Sequence, residues 1–243
     1  MKERRSRRWG LILSIVIGAA VLVAVVIALI PRGSGGGDAP PTPVMPTSSG
    51  SAPPTSTGGG GEVVDPDVAK RGWVPEPITQ DEDAYARAAL EAATTFDTRR
   101  STRDEWLTWL GTWFTPSPLY DDQQDAVDQM AGYKAELAQS VVPPQSQWDG
   151  LANNDGRVIA RLDGPIKYLD QPDATQKHVR TATANVIMTY TQSGGDTGGE
   201  ASYDQTVRVS VQVVCGGASI PTPDSAQRAG DCKVVRFFDT AVG

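Results

Sequence analysis

The stretch YDQTVRVSVQV, residues 203–213, has the clearest alternation of apolar and polar residues in the chain. Successive side chains of a β-strand point to opposite faces of the sheet, so a period of two predicts a strand with one buried face. The predicted core face consists of the valines of this stretch: Val207, Val209, Val211 and Val213. The alternate positions Arg208, Ser210 and Gln212 are expected to face away from the core.

Further segments on both sides of this strand have the same period. Residues 178–191 alternate over a long stretch, and the sequence GGDTGG at 194–199 is a hairpin turn signal between the two strands. This glycine-rich turn does not open a helix, so we do not interpret it as a phosphate-binding loop. The other predicted strands are 157–162, with a continuation past Gly164-Pro165 to residue 169, and 232–238.

The sequence before these strands has a helical period instead. Thr79 with Glu82, and Thr102 with Glu105, have the spacing of a capping box at a helix start. The predicted helices are 79–96, 101–114 and 121–137. Helices followed by about four antiparallel strands predict an α+β domain, in which the helices cover one face of a curved sheet and the other face is solvated.

An apolar run precedes the folded domain. Residues 9–30 are 22 residues without a charge, and at about 1.5 Å rise per residue they would span about 33 Å, enough for a bilayer core. We predict a transmembrane helix that contacts membrane lipids, because the apolar region of a cleaved signal peptide, the alternative, is usually shorter. Basic residues before the run keep the N-terminus cytoplasmic: Lys2, Arg4, Arg5, Arg7 and Arg8.

The segment between the apolar run and the domain is of low complexity. Residues 31–61 contain 25 Gly, Pro, Ser or Thr among 31, a composition that cannot bury enough apolar surface to order itself. The predicted organisation is a cytoplasmic tail 1–8, a transmembrane helix 9–30, a tether 31–61, a leading arm 62–78 and an extracytoplasmic domain 79–243. The order of the arm is left open, with Trp73 and Val74 as candidates for packing onto the domain. This organisation is that of a single-pass cell-membrane protein.

The part of the chain beyond the membrane is acidic. Residues 33–243 carry 16 basic and 28 acidic side chains, a net charge of −12. Phosphate backbones would be repelled by such a surface. We therefore do not expect the folded domain to bind nucleic acid directly.

The two cysteines, Cys215 and Cys232, lie at the end of one predicted strand and the start of the next. If these strands are neighbours, the two thiols lie roughly opposite each other. A disulfide persists outside the cytoplasm, so we predict one, with two free buried thiols as the alternative.

Candidates for catalysis or metal binding are scarce. His178, the single histidine, lies at the start of a predicted strand and is interpreted as an ordinary solvated residue. Nucleophile-elbow, zinc-protease, Walker and dinucleotide motifs are absent from the sequence. We predict no catalytic residue, no cofactor and no metal. The tryptophans of the second helix are either core or a candidate interface or pocket: Trp106, Trp109 and Trp113.

The order of these elements resembles a known family. A basic tail, one spanning helix and an external domain of helices followed by a curved antiparallel sheet resembles the inner-membrane assembly factors of type IV secretion systems. The local texture of residues 88–96 and 106–110 is similar as well. This VirB-eight-like group, with its Gram-positive conjugation relatives, has an external domain of the nuclear transport factor 2-like fold. The resemblance implies a non-enzymatic scaffold that forms a homo-oligomer and joins other membrane-complex subunits.

Three alternatives remain open from the sequence. A similar domain plan occurs in proteins associated with mycobacterial lipid-import complexes, which would make the chain an accessory subunit there. The cavity of the implied fold could hold a small ligand in a binding or sensing domain. An enzyme of the ketosteroid isomerase type would need a deep carboxylate near a tyrosine such as Tyr190 or Tyr203.

Overall fold

The computed structural model describes residues 61–169, 178–194 and 198–238. The basic tail, the apolar run 9–30 and the low-complexity segment as far as residue 60 lie outside the described residues. None of the helices in the described ranges is both long and apolar enough to cross a membrane.

Four α-helices are present in the described part of the chain: α1 (Glu82–Ala92), α2 (Arg103–Leu110), α3 (Gln123–Glu136) and α4 (Gln145–Ala152). The capping box predicted for α2 is confirmed, because the Thr102 side chain accepts from Glu105 N and the Glu105 carboxylate accepts from Thr102 N. The predicted cap of α1 is wrong by two residues. Asp81 caps this helix by accepting from Ala84 N, and the Thr79 hydroxyl instead accepts from Asp81 N.

Helix α4 was not predicted from the sequence. It has only eight residues, too few for a helical period to stand out. Its two large apolar residues, Trp148 and Leu151, are both buried. Phe96, predicted as the end of the first helix, belongs instead to a short strand beyond α1.

The described strands form one antiparallel sheet in sequence order. They are β1 (Phe96–Asp97), β2 (Arg157–Leu169), β3 (Val179–Ser193), β4 (Glu200–Gly216) and β5 (Gly230–Phe238). The α+β class with an antiparallel sheet is therefore confirmed, and β1 adds a fifth strand to the four predicted. The predicted continuation of β2 past Gly164 is also confirmed, with an irregular register between Asp163 and Lys167.

The two faces of the sheet are covered differently from the prediction. Val209, Val211 and Val213 lie in the main core as expected, and Val207 is half-buried. Ser210 and Gln212, expected to face away from the core, are also buried. A second apolar cluster explains this burial, because Leu119 and Tyr133 pack there against three buried valines: Val179, Val214 and Val235. The solvated face is therefore limited to part of the sheet.

The arm that precedes α1 packs onto the domain. Val63 bridges Pro77, and Ile78 N donates to Glu62 O at 2.8 Å. Trp73 is buried, its ring stacks on Trp109 at 5.0 Å between centroids, and its indole N–H donates to the Ser101 hydroxyl. The arm is thus part of the core in the described structure.

Cys215 and Cys232 form a disulfide that links β4 to β5, and the two positions are 17 residues apart in sequence. Cys232 is fully buried. The disulfide predicted from the sequence is therefore present.

Replacing both cysteines by alanine should lower the free energy of unfolding by about 3 kcal/mol, because the bridge closes a loop of moderate length in the unfolded chain. Guanidinium denaturation of the oxidised protein and the double variant measures this difference. Dithiothreitol should destabilise the native protein and leave the variant unchanged. Equal stability of the two proteins would contradict the prediction.

Candidate functional site

The tryptophan-rich helix contributes to the core. Trp106 and Trp113 are fully buried, while Trp109 is half-buried between Trp73 and Trp113. Trp106 packs against Phe96 and Trp148 with ring centroids 5.0 and 5.6 Å away. An interface or pocket formed by Trp106 and Trp113 would therefore require the domain to open.

A buried ionic cluster joins the arm to the last strand. Lys233 Nζ lies 2.7 Å from Glu76 Oε1, and the exposed fractions of their side chains are 0% and 2%. Tyr85 and Gln227 also donate to Glu76 Oε1, at 2.7 and 3.2 Å. Burial raises the pKa of Tyr85 well above its ordinary value, with a further contribution from the Glu76 charge, and burial lowers the pKa of Lys233. The cluster thus holds two opposite charges in the interior.

The Glu76 carboxylate and the Tyr85 phenol are as close as the enzyme hypothesis requires, but both side chains are buried. Glu76 and Tyr85 line neither of the two grooves described below. Tyr190 and Tyr203, the tyrosines considered from the sequence, stack on each other at 5.0 Å. In the structure, the carboxylate and the phenol of the cluster connect the arm, α1 and β5.

The arginines just before α2 and at its first residue have partners within the chain. Arg99 and Arg100 form ion pairs with Asp97, at 2.8 and 3.3 Å. Arg103 donates to the backbone oxygens of Ala138 and Pro143. These contacts hold the loop between α1 and α2 to β1 and to the segment before α4.

The pKa of Asp97 supplies a test of this arrangement. Burial alone would raise this pKa, but hydrogen bonds and charge from Arg99, with the charge of Arg100, bring it below its ordinary value. Since the folded pKa is the lower one, ionised Asp97 stabilises the fold above the unfolded pKa of about 4, and this stabilisation is lost as the pH falls through the folded value.

Asp97→Asn should therefore cost about 1–3 kcal/mol at pH 7, where the arginines lose a charged acceptor. The difference from the native protein should shrink as the pH is lowered from 5 to 3. Urea denaturation over this range measures the effect, with Asp204→Asn as an exposed control. A difference that is constant with pH would contradict the assigned role.

A groove of about 470 Å³ lies between α2, the C-terminal end of α3 and the loop before β5. We call it the lysine groove. Its walls include Leu107, Phe114 and Leu137, and Lys134 lies beside them with its ammonium 5.7 Å from the Phe114 ring centre. Lys134 has no ion pair among the described residues, and burial lowers its pKa. The groove thus combines apolar walls with one cation.

The end of the sheet near the β3–β4 turn lies outside the helical cover. Residues 200–206 and 208 are exposed, and residue 207 is half-buried. We call residues 200–208 the open half of β4. The side chain of Tyr203 is 53% exposed and that of Ile159, on β2, is 55% exposed. This end is thus an exposed part of the described sheet.

A second groove of about 240 Å³ lies beside the open half of β4. We call it the sheet groove. Val207 and Val209 line one side, and Val142 and Pro143, from the segment before α4, line the other. Met188 and Tyr190 of β3 line it as well. A mainly apolar bed, which also includes Gln205 and Arg208, therefore adjoins the exposed strand.

Sequence reasoning missed both the ionic cluster and the open half of β4. One signal could have revealed the second, because the last predicted strand, 232–238, is shorter than its predicted neighbour 203–213. A short strand cannot pair along the whole of a longer one. No comparable signal links Glu76 to Lys233, which are separated by 157 residues.

No protein-family model matches the chain, and no curated protein matches its sequence. Among solved structures, it is similar to an IcmL-like type IV secretion system protein from Legionella pneumophila, with 14% identity and a TM-score of 0.41, over 66% of this chain and 91% of that one. The periplasmic domain of DotI has 16% identity and a TM-score of 0.41, over 68% and 98% of the two chains. CagV from Helicobacter pylori, a VirB8 homolog, has 15% identity and a TM-score of 0.35, over 66% and 97%. Two of these three structural neighbours are thus type IV secretion proteins, one of them a VirB8 homolog, and all three have low sequence identity to this chain.

Proposed function

We propose that this chain is a non-enzymatic, membrane-anchored assembly subunit of an envelope-spanning transport or conjugation complex of the type IV secretion kind. Residues 9–30 anchor it in the cell membrane, the basic tail stays in the cytoplasm, and the α+β domain lies outside. The order of elements that resembles the assembly factors of these machines supports the class of complex.

The observation that carries the proposal is the open half of β4. A strand exposed over residues 200–206 and beside an apolar groove offers backbone hydrogen-bonding groups and side-chain contacts to another protein. Exposed strand edges are usually shortened or covered in monomeric proteins. An uncovered edge next to exposed Tyr203 therefore favours a protein partner.

The buried ionic cluster supports the non-enzymatic part of the proposal. Glu76 and Lys233 are close to fully buried and bind each other. A carboxylate in that position holds the arm to β5, and its side chain is shielded from solvent. The Glu76 carboxylate thus contributes to the packing of the domain.

Affinity isolation of the full-length protein in mild detergent from its native host, with mass spectrometry of the co-purifying proteins, tests the function. We expect a conjugation or secretion ATPase and channel subunits. A chain lacking residues 9–30 is the control, and it should leave the membrane fraction and lose these partners. Recovery of a lone monomer in both cases would contradict the proposal.

A second candidate function is the binding of a small anionic ligand in the lysine groove. The observation that favours it is Lys134, a half-buried cation that has apolar neighbours and no ion pair in the described residues. A tightly bound small acid in the isolated protein, absent from Lys134→Ala, would place this function first.

A further inference from the structure

The open half of β4 has a partner strand on one side only. β3 pairs with it from Glu200 onward, opposite Ser193, whereas β5 pairs with β4 only from Ser210 onward. Neither of the isolated bridges of the described chain involves it. Among the described residues, its second side therefore has no strand partner.

Two hydrogen bonds beyond the ends of the β3–β4 ladder show which residues face that edge. Cys215 N donates to His178 O, and Gly194 N donates to Gly199 O. Residues of an antiparallel pair alternate between exchanging hydrogen bonds and not exchanging them. In the continuous β3–β4 register, odd-numbered residues of β4 therefore bond to β3. The even-numbered residues direct their N–H and C=O groups to the edge: Ser202, Asp204, Thr206 and Arg208.

The side chains along this edge are complementary to themselves. In an antiparallel pair of two copies centred on Gln205, Asp204 lies opposite Thr206, and Tyr203 lies opposite Val207. Even-numbered residues then lie opposite even-numbered residues. This parity is required because the even-numbered residues direct their N–H and C=O groups to the edge. Aromatic and β-branched residues opposite each other stabilise a strand pair.

The charges along the edge disfavour one alternative register, the pair centred on Asp204. Arg208 has no ion pair within the described residues, and the Asp204 carboxylate accepts a hydrogen bond from the Thr189 hydroxyl at 2.7 Å. In the pair centred on Gln205, Arg208 lies diagonally across from Asp204 of the second copy, on the same face. A shift that centres the pair on Asp204 would instead place two carboxylates opposite each other, which is unfavourable.

We propose that two copies of this chain join through the open halves of β4, in an antiparallel pair centred on Gln205 that makes their two sheets continuous. The sheet groove gives the second strand an apolar bed on the face of Tyr203 and Val207. The inference rests on the proposed assembly function, since it names the first partner of the surface that carries that function.

A single cysteine at the centre of the pair tests the proposal in the full-length protein in its native membrane. Odd residues opposite each other form non-hydrogen-bonded pairs with Cα atoms about 4.5 Å apart, which is within the range of a disulfide. Gln205→Cys should therefore give a disulfide-linked dimer under mild oxidation, since both native cysteines are already paired. Ile159→Cys, equally exposed on β2, and Asp204→Cys, out of register, should remain monomeric on non-reducing gels.

A proline on the edge separates pairing from folding. Thr206 N–H faces the edge, so Gln205→Cys with Thr206→Pro should lose the dimer and keep the thermal midpoint of Gln205→Cys nearly unchanged. In contrast, Val207→Pro should lower the midpoint, because the Val207 N–H bonds to β3.

Several results would overturn the pairing: no dimer from Gln205→Cys, a product with a different protein, or a dimer that forms only after removal of residues 239–243. The last result would show that the chain's own C-terminus occupies the edge. A Gln205→Cys dimer without envelope subunits in the affinity isolation would uphold the pairing and contradict the assembly function. Retention of envelope subunits without the dimer would uphold the assembly function and contradict the pairing.

Discussion

Lys233→Met is expected to lower the free energy of unfolding by about 3–5 kcal/mol, because removal of one partner leaves a buried charge uncompensated. Lys233 Nζ binds Glu76 Oε1 at 2.7 Å, Thr112 O at 3.0 Å and Thr222 Oγ1 at 2.6 Å. Methionine preserves most of the volume and removes these three hydrogen bonds together with a longer one to Gln227 Oε1 at 3.4 Å. Guanidinium denaturation at pH 7 measures the loss.

The matched control is the double variant Glu76→Gln with Lys233→Met. It removes both charges and keeps an oxygen at residue 76 that accepts from Tyr85. Replacing both members of a buried ion pair often costs little, so the double variant should be more stable than Lys233→Met alone. If the double variant is as unstable as the single one, the uncompensated charge is not the cause of the loss.

Trp106→Ala is expected to cost about 3–5 kcal/mol, the usual range for truncating a buried aromatic residue. Trp106 is fully buried and packs against Phe96 and Trp148. Its removal opens a cavity beside these two rings. Thermal unfolding and urea denaturation measure the effect, and light scattering of the same samples reports the oligomeric state.

Trp109→Ala is the comparison within the same helix. Trp109 is half-buried and stacks on Trp73, so its truncation should cost about 1–2 kcal/mol. Both variants should keep the oligomeric state of the native protein. A Trp106→Ala protein of native stability and altered oligomeric state would instead assign this helix to an interface.

The elements that could be predicted are those specified by neighbouring residues. The alternation of residues 203–213 identified β4, and the spacing of Thr102 and Glu105 identified the start of α2. Such patterns depend on side chains a few positions apart, so a sequence displays them directly.

The features that could not be predicted depend on distant parts of the chain. Lys233 lies in a strand where a charged residue is expected at the surface, and only the folded chain brings Glu76 to it. The alternation of apolar and polar residues in β4 is the same in the part that pairs with β5 and in the part that does not. The pattern therefore does not show which part of the strand is covered. Burial of Ser210 and Gln212 likewise depends on α3 and Leu119, which the local pattern does not specify.

The attachment of the arm determines how a mechanical load would enter the domain. A pull on the chain before Gly61 first meets the hydrogen bond from Ile78 N to Glu62 O, so the intervening loop with Trp73 is bypassed. The next residue, Thr79, accepts from Cys232 N at 2.8 Å, and Cys232 is bonded covalently to Cys215 of β4. Tension from a membrane anchor would thus pass directly into the two strands that the disulfide joins, and the helices would carry little of it.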